Sequence, residues 1–325
     1  MRIGIIGAGA VGGFMAGQFA RAGQEVTILA RGENLAAIKA NGLTVETQGE
    51  KWTSKIEASD DPADLGLLDL AIITAKAPAL PTLSALIEKN LKPETTVIAA
   101  MNGIPWWYEY LRDGKLGGPL ERVDPGAKVW NILRPERAVG CVIDCPARVI
   151  APGHVAHVAE RSSSFRLGEP SGEESDRVRN VAELISSARM KAPVTNDIRK
   201  AIWAKLIINL SRSPIGVLTG ASERGMAENK DTLALTLAMM REGAAVAASH
   251  GITLEVDEAR QSDPAGRSEH RSSMLQDWDL GRPMEIDGIV RIVQDFARAA
   301  GIATPTIDTV SALLVAKAQQ AGTYS

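Results

Sequence analysis

Short apolar runs alternate with segments of helical period through the first half of the chain. Residues 2–6 include Ile3, Ile5 and Ile6, a run too short for a helix and apolar enough for a buried strand. In residues 10–22, Val11, Met15 and Phe19 recur every four positions, the stripe of a helix with one apolar face. Residues 25–29, 68–74 and 95–100 predict further buried strands. Residues 43–47 and 51–56 predict a hairpin across Gln48-Gly49-Glu50, and residues 137–144, 153–159 and 163–167 an antiparallel extension. Strands and helices alternating in this way build a parallel sheet with helices on both faces.

Residues 113–135 interrupt the pattern. They are rich in Gly and Pro and have no period, as suits either a binding lid or a solvated surface excursion. After Pro193 strand-like segments nearly vanish, and residues 197–209, 232–249, 287–300 and 306–320 all have helical period. Two domains are expected, an α/β domain over 1–195 and an all-helical one over 196–325.

Composition agrees with that division and removes some functions. A length of 325 residues suits two cores, and 45% apolar with 23% charged residues is the balance of a soluble globular chain. A net charge of -3 without a long basic run argues against a nucleic-acid or anionic-membrane surface. No stretch is apolar for long enough to span a bilayer. The apolar N-terminus superficially resembles a secretory leader, but Gly4, Gly7, Gly9, Gly12 and Gly13 would break its helix, so a cytoplasmic location is expected. Cys141 and Cys145, the only cysteines, are too few for a disulfide framework or a zinc site and read as two thiols on one apolar strand.

Gly7-Ala8-Gly9-Ala10-Val11-Gly12 is a G-x-G-x-x-G turn that follows a strand, opens a helix and leads into a second strand. That context makes it a dinucleotide site in a Rossmann-like doubly wound sheet. Gly7 permits the turn, Gly9 lets backbone approach a pyrophosphate, and Gly12 lets helix and strand pack closely. The helix N-terminus offers free N–H groups and positive dipole. At the tip of the second strand, Leu29-Ala30-Arg31 has no acid to bond a ribose 2′-hydroxyl. Arg31 suits the 2′-phosphate of NADP(H) instead, while Glu33 nearby leaves an NAD contact open.

Candidate chemistry lies in the second half. In Ala201-Ile202-Trp203-Ala204-Lys205-Leu206-Ile207-Ile208-Asn209-Leu210, only Lys205 and Asn209 interrupt an apolar, hence buried, helix. Lys205, Asn209 and Ser213 are spaced four apart and share a face if the helix continues. The stripe is open to two readings, a working cation or a lysine snorkelling beside a capping asparagine. In Ser272-Ser273-Met274-Leu275-Gln276-Asp277, Ser273 is expected to cap a short helix, with Gln276 completing a capping box. Glu285 precedes the apolar helix from Ile286 and suits its N-terminal dipole. Taken singly, each of these has a structural explanation. Trp106-Trp107-Tyr108 reads as helix packing ahead of a pocket wall. His154, His157, His250 and His270 are too scattered for a zinc site, and no nucleophile elbow accompanies them.

Together with Lys76 in Thr74-Ala75-Lys76-Ala77 and Asn102-Gly103 after a strand, these segments resemble the ketopantoate reductase (2-dehydropantoate 2-reductase) family. The resemblance runs in order over nearly the whole chain and implies a Rossmann domain joined to a helical one. It implies Lys205 as the lysine that protonates the ketone oxygen and Glu285 as the acid that bonds the substrate hydroxyl. It further implies Lys76 and Asn102 beside the nicotinamide and substrate, Asn209 on the substrate and Ser273 on its carboxylate, with Ser213 a further candidate for the substrate on the same helix face. NADP(H) is the implied cofactor, a small 2-oxo acid the implied partner, and no metal is needed. A homodimer is compatible with this reading.

Two features depart from the family pattern. Ser213 stands where a second asparagine is frequent, and the segment from Ile104 to Pro135 is long. Both bear on which substrate is taken. The competing readings are a relative acting on another 2-oxo acid or a β-hydroxy acid, and a non-catalytic NADP-binding sensor.

Overall fold

The computed structural model describes residues 1–47, 49–158 and 163–324, and the chain divides into two compact units. One comprises Met1–Met101 and Pro105–Ile198, the other Asn102–Ile104 and Arg199–Ser325.

The first unit opens with β1 (Ile3–Ile6), α1 (Ala10–Arg21), β2 (Val26–Leu29), α2 (Gly32–Asn41), β3 (Leu43–Thr47), β4 (Glu50–Ser54) and β5 (Glu57–Ser59). It continues with β6 (Leu68–Ile73), α3 (Leu80–Ile87), β7 (Leu91–Ala99), β8 (Tyr110–Arg112), β9 (Lys115–Leu116) and α4 (Lys128–Leu133). Last come β10 (Gly140–Asp144), β11 (Ala147–Ala151), β12 (His154–His157), β13 (Ser164–Gly168) and α5 (Asp176–Ser187). Strands β5-β2-β1-β6-β7 form one sheet, parallel throughout, and every residue of β1 and β2 is buried. The order reverses beside β1. In a doubly wound sheet that reversal opens a crevice at the carboxyl ends of the strands.

The antiparallel extension takes a different form. The segment just ahead of β10 meets β7 through a parallel bridge, Val97 to Ala138, and β10 itself pairs antiparallel with β13. β12 leaves that sheet and lies parallel to β3 in a second one, ordered β11-β12-β3-β4. The cause lies in α1, where Gly12 through Phe19 are all buried. The helix has a sheet against each side, and Val45 and Val155, both nearly sealed, close its outer face. Gln48 of the expected hairpin turn and Ala159 of the expected third strand lie outside the described residues.

The irregular stretch before Pro135 also holds more order than its sequence suggested. It contains β9 and α4, whose first N–H groups Val129 and Trp130 donate to buried Asp124 at 2.9 and 2.8 Å. Trp106, Trp107 and Tyr108 are buried, with Trp106 edge-on to Trp130 of α4 at 6.3 Å, so these rings serve packing. Cys141 sits within β10 and Cys145 just beyond it, and neither is in a disulfide.

The second unit holds α6 (Ile198–Thr219), α7 (Glu223–Glu228), α8 (Lys230–Ser249), α9 (Glu258–Gln261), α10 (Ser273–Asp279), α11 (Ile292–Ala300) and α12 (Pro305–Gln320). Its core includes Trp203 against His250 and Phe296 at 5.6 and 6.1 Å. Asp287–Arg291 is a π-helical turn leading directly into α11. Among the described residues no helix is long and apolar enough to cross a membrane, and no cluster of His, Cys, Asp or Glu could hold a metal ion.

Candidate active site

In the first unit, hydrogen bonding gathers the ends of β1, β2 and β6. Gly7 N–H donates to Leu29 at 3.0 Å, and Thr74 N–H to Ile6 at 3.0 Å. Gly7 adopts φ 114°, a backbone that disfavours side chains, and swings the chain into α1. The Thr74 hydroxyl then donates to the Gly7 carbonyl at 2.9 Å. A Cβ on Gly12 would stand 2.0 Å from that carbonyl oxygen and 2.3 Å from the hydroxyl, which explains the glycine by packing alone. Thr74 thus locks the turn, although the sequence marked its segment only for Lys76.

Gly9 differs from Gly12. Nothing lies within 4 Å of a Cβ placed there, so protein packing gives no reason for its bareness. A pyrophosphate approaching the N-terminus of α1 does, and Gly9 is the N-cap residue of that helix. Ala8 and Ala10 add no bulk, and Val11 lies half-buried in the first turn. Arg31 is exposed at the N-cap of α2, and Glu33 occupies the first turn of the same helix. Lys76 is half-buried just beyond β6. The residues present therefore fit a pyridine dinucleotide.

In the second unit the lysine helix outruns its predicted end. α6 continues through Pro214 to Thr219, so Lys205, Asn209 and Ser213 do share one face. The helix is not sealed all round: Ala204 and Ile208 are exposed, Lys205 and Asn209 half-buried, and Ser213 buried. Full burial was the wrong expectation, because apolar character alone does not say how much of a helix its neighbours cover.

The expected cap at Ser273 is corrected to Ser272. The Ser272 hydroxyl accepts from Leu275 N–H at 3.2 Å, while Gln276 donates to the Arg271 carbonyl at 2.8 Å and forms no capping box. Two adjacent serines offered the same chemistry, and the entry path of the chain selected the first. Ser273 becomes the exposed first residue of α10. Ser272 Oγ lies 3.9 Å from a Cβ placed on Gly216, so α10 begins over the same helix that carries Lys205.

Glu285 is 9% exposed, immediately ahead of the π-helical turn. Asn102 and Gly103 come to that turn from far away in sequence. Ile104 N–H donates to Gly288 at 2.9 Å, and a Cβ on Gly103, at φ 87°, would stand 2.4 Å from the same carbonyl oxygen. Tyr324 Oη donates to Asp287 at 2.8 Å and steadies the turn from its other side. The structure thus sets Asn102 beside the segment carrying Glu285, a proximity that no spacing in the sequence indicated. An apolar groove of about 450 Å³, lined by Ile215, Leu235, Val310 and Leu313 among others, contains none of the candidate residues.

Known proteins share both halves of this arrangement. The family model for ketopantoate reductase PanE/ApbA matches residues 3–172, and the model for the C-terminal part of the same family matches residues 197–318. The chain is 41% identical to a 2-dehydropantoate 2-reductase of Mesorhizobium japonicum, over the full length of both. It is 28% identical to a 2-dehydropantoate 2-reductase of Pyrococcus abyssi, with 94% of each chain covered. A crystal structure from Ralstonia solanacearum MolK2, provisionally assigned as a ketopantoate reductase, superposes with a TM-score of 0.92 at 37% identity over 99% of each chain. A D-mandelate dehydrogenase solved with NADH and anilino(oxo)acetate has a TM-score of 0.84 over 99% of each chain, and at 23% identity it shares the fold.

Proposed function

Because this chain belongs to the ketopantoate reductase family of oxidoreductases, we propose that it reduces 2-dehydropantoate to pantoate with NADPH. One observation carries the reading. Lys205 stands on the same face of one helix as Asn209 and Ser213, within a fold whose other unit fits a pyridine dinucleotide.

The first unit binds the cofactor through the turn Gly7 to Gly12, with Arg31 on the 2′-phosphate and Lys76 toward the nicotinamide. Arg31 is favoured over Glu33 as the selecting group because a guanidinium matches a phosphate in charge and shape. When bound, a reduced nicotinamide supplies hydride to the carbonyl carbon of the 2-oxo acid. The carbonyl oxygen gains an electron pair, and the Lys205 ammonium stabilises that charge and then donates its proton to it. Solvent returns the proton to the lysine. Glu285 accepts from the substrate hydroxyl, Asn102, Asn209 and Ser213 orient the substrate, and Ser273 donates to its carboxylate.

The direct test is ketopantoate-dependent oxidation of NADPH. Wild type is expected to turn over, and Lys205→Ala to lose about 10²- to 10⁴-fold in kcat, the usual contribution of a positioned general acid. A protein that binds NADPH yet reduces no 2-oxo acid would instead be a sensor.

A further inference from the structure

Near the polar stripe of α6 lies a positive charge that the reaction above leaves unused. Arg212 is seven residues beyond Lys205, about 20° short of two full helical turns. It therefore projects in nearly the same direction as Lys205, about 10 Å further along the axis. Four residues on is Gly216, over which Ser272 lies. Arg212 thus occupies the face between the proposed proton donor and the serines at the start of α10.

Its surroundings are short of negative charge. The Arg212 side chain is only 11% exposed, and its ion-pair partner Glu223 stands at 3.5 Å. Its closest bond, 2.5 Å, goes to the side-chain oxygen of Gln261, a neutral amide. Arg267 donates to that same oxygen at 2.8 Å. Two guanidinium groups converging on one neutral acceptor repel each other, and burial adds a desolvation cost. Burial indeed pushes the Arg212 guanidinium below its ordinary value, with Arg267 and Arg260 adding to the effect against Glu223. Nearby acids are engaged elsewhere: Glu258 with Arg241, and Glu269 with Ser222 and Arg224.

Guanidinium presents a rigid fork of N–H donors that matches a carboxylate, and a partly desolvated pair of them favours that ligand strongly. We propose that Arg212, backed by Arg267, binds the carboxylate of the 2-oxo acid and is the specificity-determining residue of the second unit. Charge on Arg212 then completes the role assigned to Ser273, whose hydroxyl alone offers one neutral donor. This inference rests on the reductase reading.

The test compares ketopantoate with its lactone, which keeps the ketone and ties both the carboxylate and the hydroxyl into an ester ring, so that Arg212 variants are read on each compound against wild type. Arg212→Gln is expected to raise KM for ketopantoate at least 30-fold and change kcat less than threefold. The lactone, measured by turnover or as an inhibitor of ketopantoate reduction, is expected to be unaffected, and so is the Kd for NADPH. Arg212→Lys should recover part of the loss. Arg267→Gln, which leaves the Arg212 bond to Gln261 in place, should raise KM less and in the same direction, and decides the matter if Arg212→Gln does not fold. Equal losses on acid and lactone, or an unchanged KM for ketopantoate, would show that the arginines merely brace α6 and would overturn the proposal. Wild type inactive on every 2-oxo acid would refute the reductase reading itself, a separate outcome.

Discussion

At the scale of single residues, the proposed choice of NADPH rests on charge placement. Arg31 is exposed at the start of α2, so its removal disturbs no packing. Arg31→Ala is expected to weaken NADPH binding by about 1.5–3 kcal/mol, the range for a charge-assisted hydrogen bond, and to leave NADH nearly unchanged. Titration of the two cofactors against both proteins checks this, and equal losses would assign the 2′-phosphate to another group. Arg31 was legible because its position follows from the glycine turn and strand length. Arg212 and Thr74 were not, since their neighbours Gln261, Arg267 and the Gly7 carbonyl are distant in sequence.

At the scale of elements, the two serines at the start of α10 are expected to have separable roles. Ser272→Ala removes the N-cap and should cost about 1 kcal/mol of stability, seen as a lower melting temperature. Ser273→Ala removes no cap and should leave melting unchanged while raising KM for the 2-oxo acid. The reverse assignment of effects would contradict the observed cap. Helix periodicity placed α8, α11 and α12 to within a few residues, because each keeps one apolar face over several turns. It stopped α6 ten residues early, at Asn209, because Ser211, Arg212, Ser213 and Pro214 break the apolar period there. Pro214 lies within the helix nonetheless, where tertiary packing outweighs the hydrogen bond it cannot make. The π-helical turn has no distinct composition and could not be anticipated.

At the scale of the whole molecule, chain order and spatial order differ. Asn102–Ile104 belongs with the helical unit although the residues on either side of it belong with the sheet unit. Ile104 is 3% exposed and its N–H is held by Gly288. A fragment ending at Ile198 would lack Gly288 and expose Ile104, and is expected to melt below the intact chain and to aggregate more readily. Melting the fragment beside the full chain measures this, and a fragment as stable as its parent would show that the segment contributes little. Alternation of strand and helix was enough to read the parallel sheet, because strands sealed on both faces have an unmistakable composition. The second sheet was hidden, since its central pair joins β3 to β12, more than a hundred residues apart.

That second sheet also changes what variation among relatives would mean. An ordinary surface helix tolerates exchange along its wet side, and its fixed positions stand out against a drifting background. From Gly12 to Phe19, α1 has no wet side. Selection for packing alone would hold nearly every position there as fast as selection for turnover, so constancy in this stretch would carry little information about catalysis. If Arg31 selects the cofactor as proposed, this exposed position, with no packing to preserve, is where evolutionary change would most cleanly record a switch of cofactor.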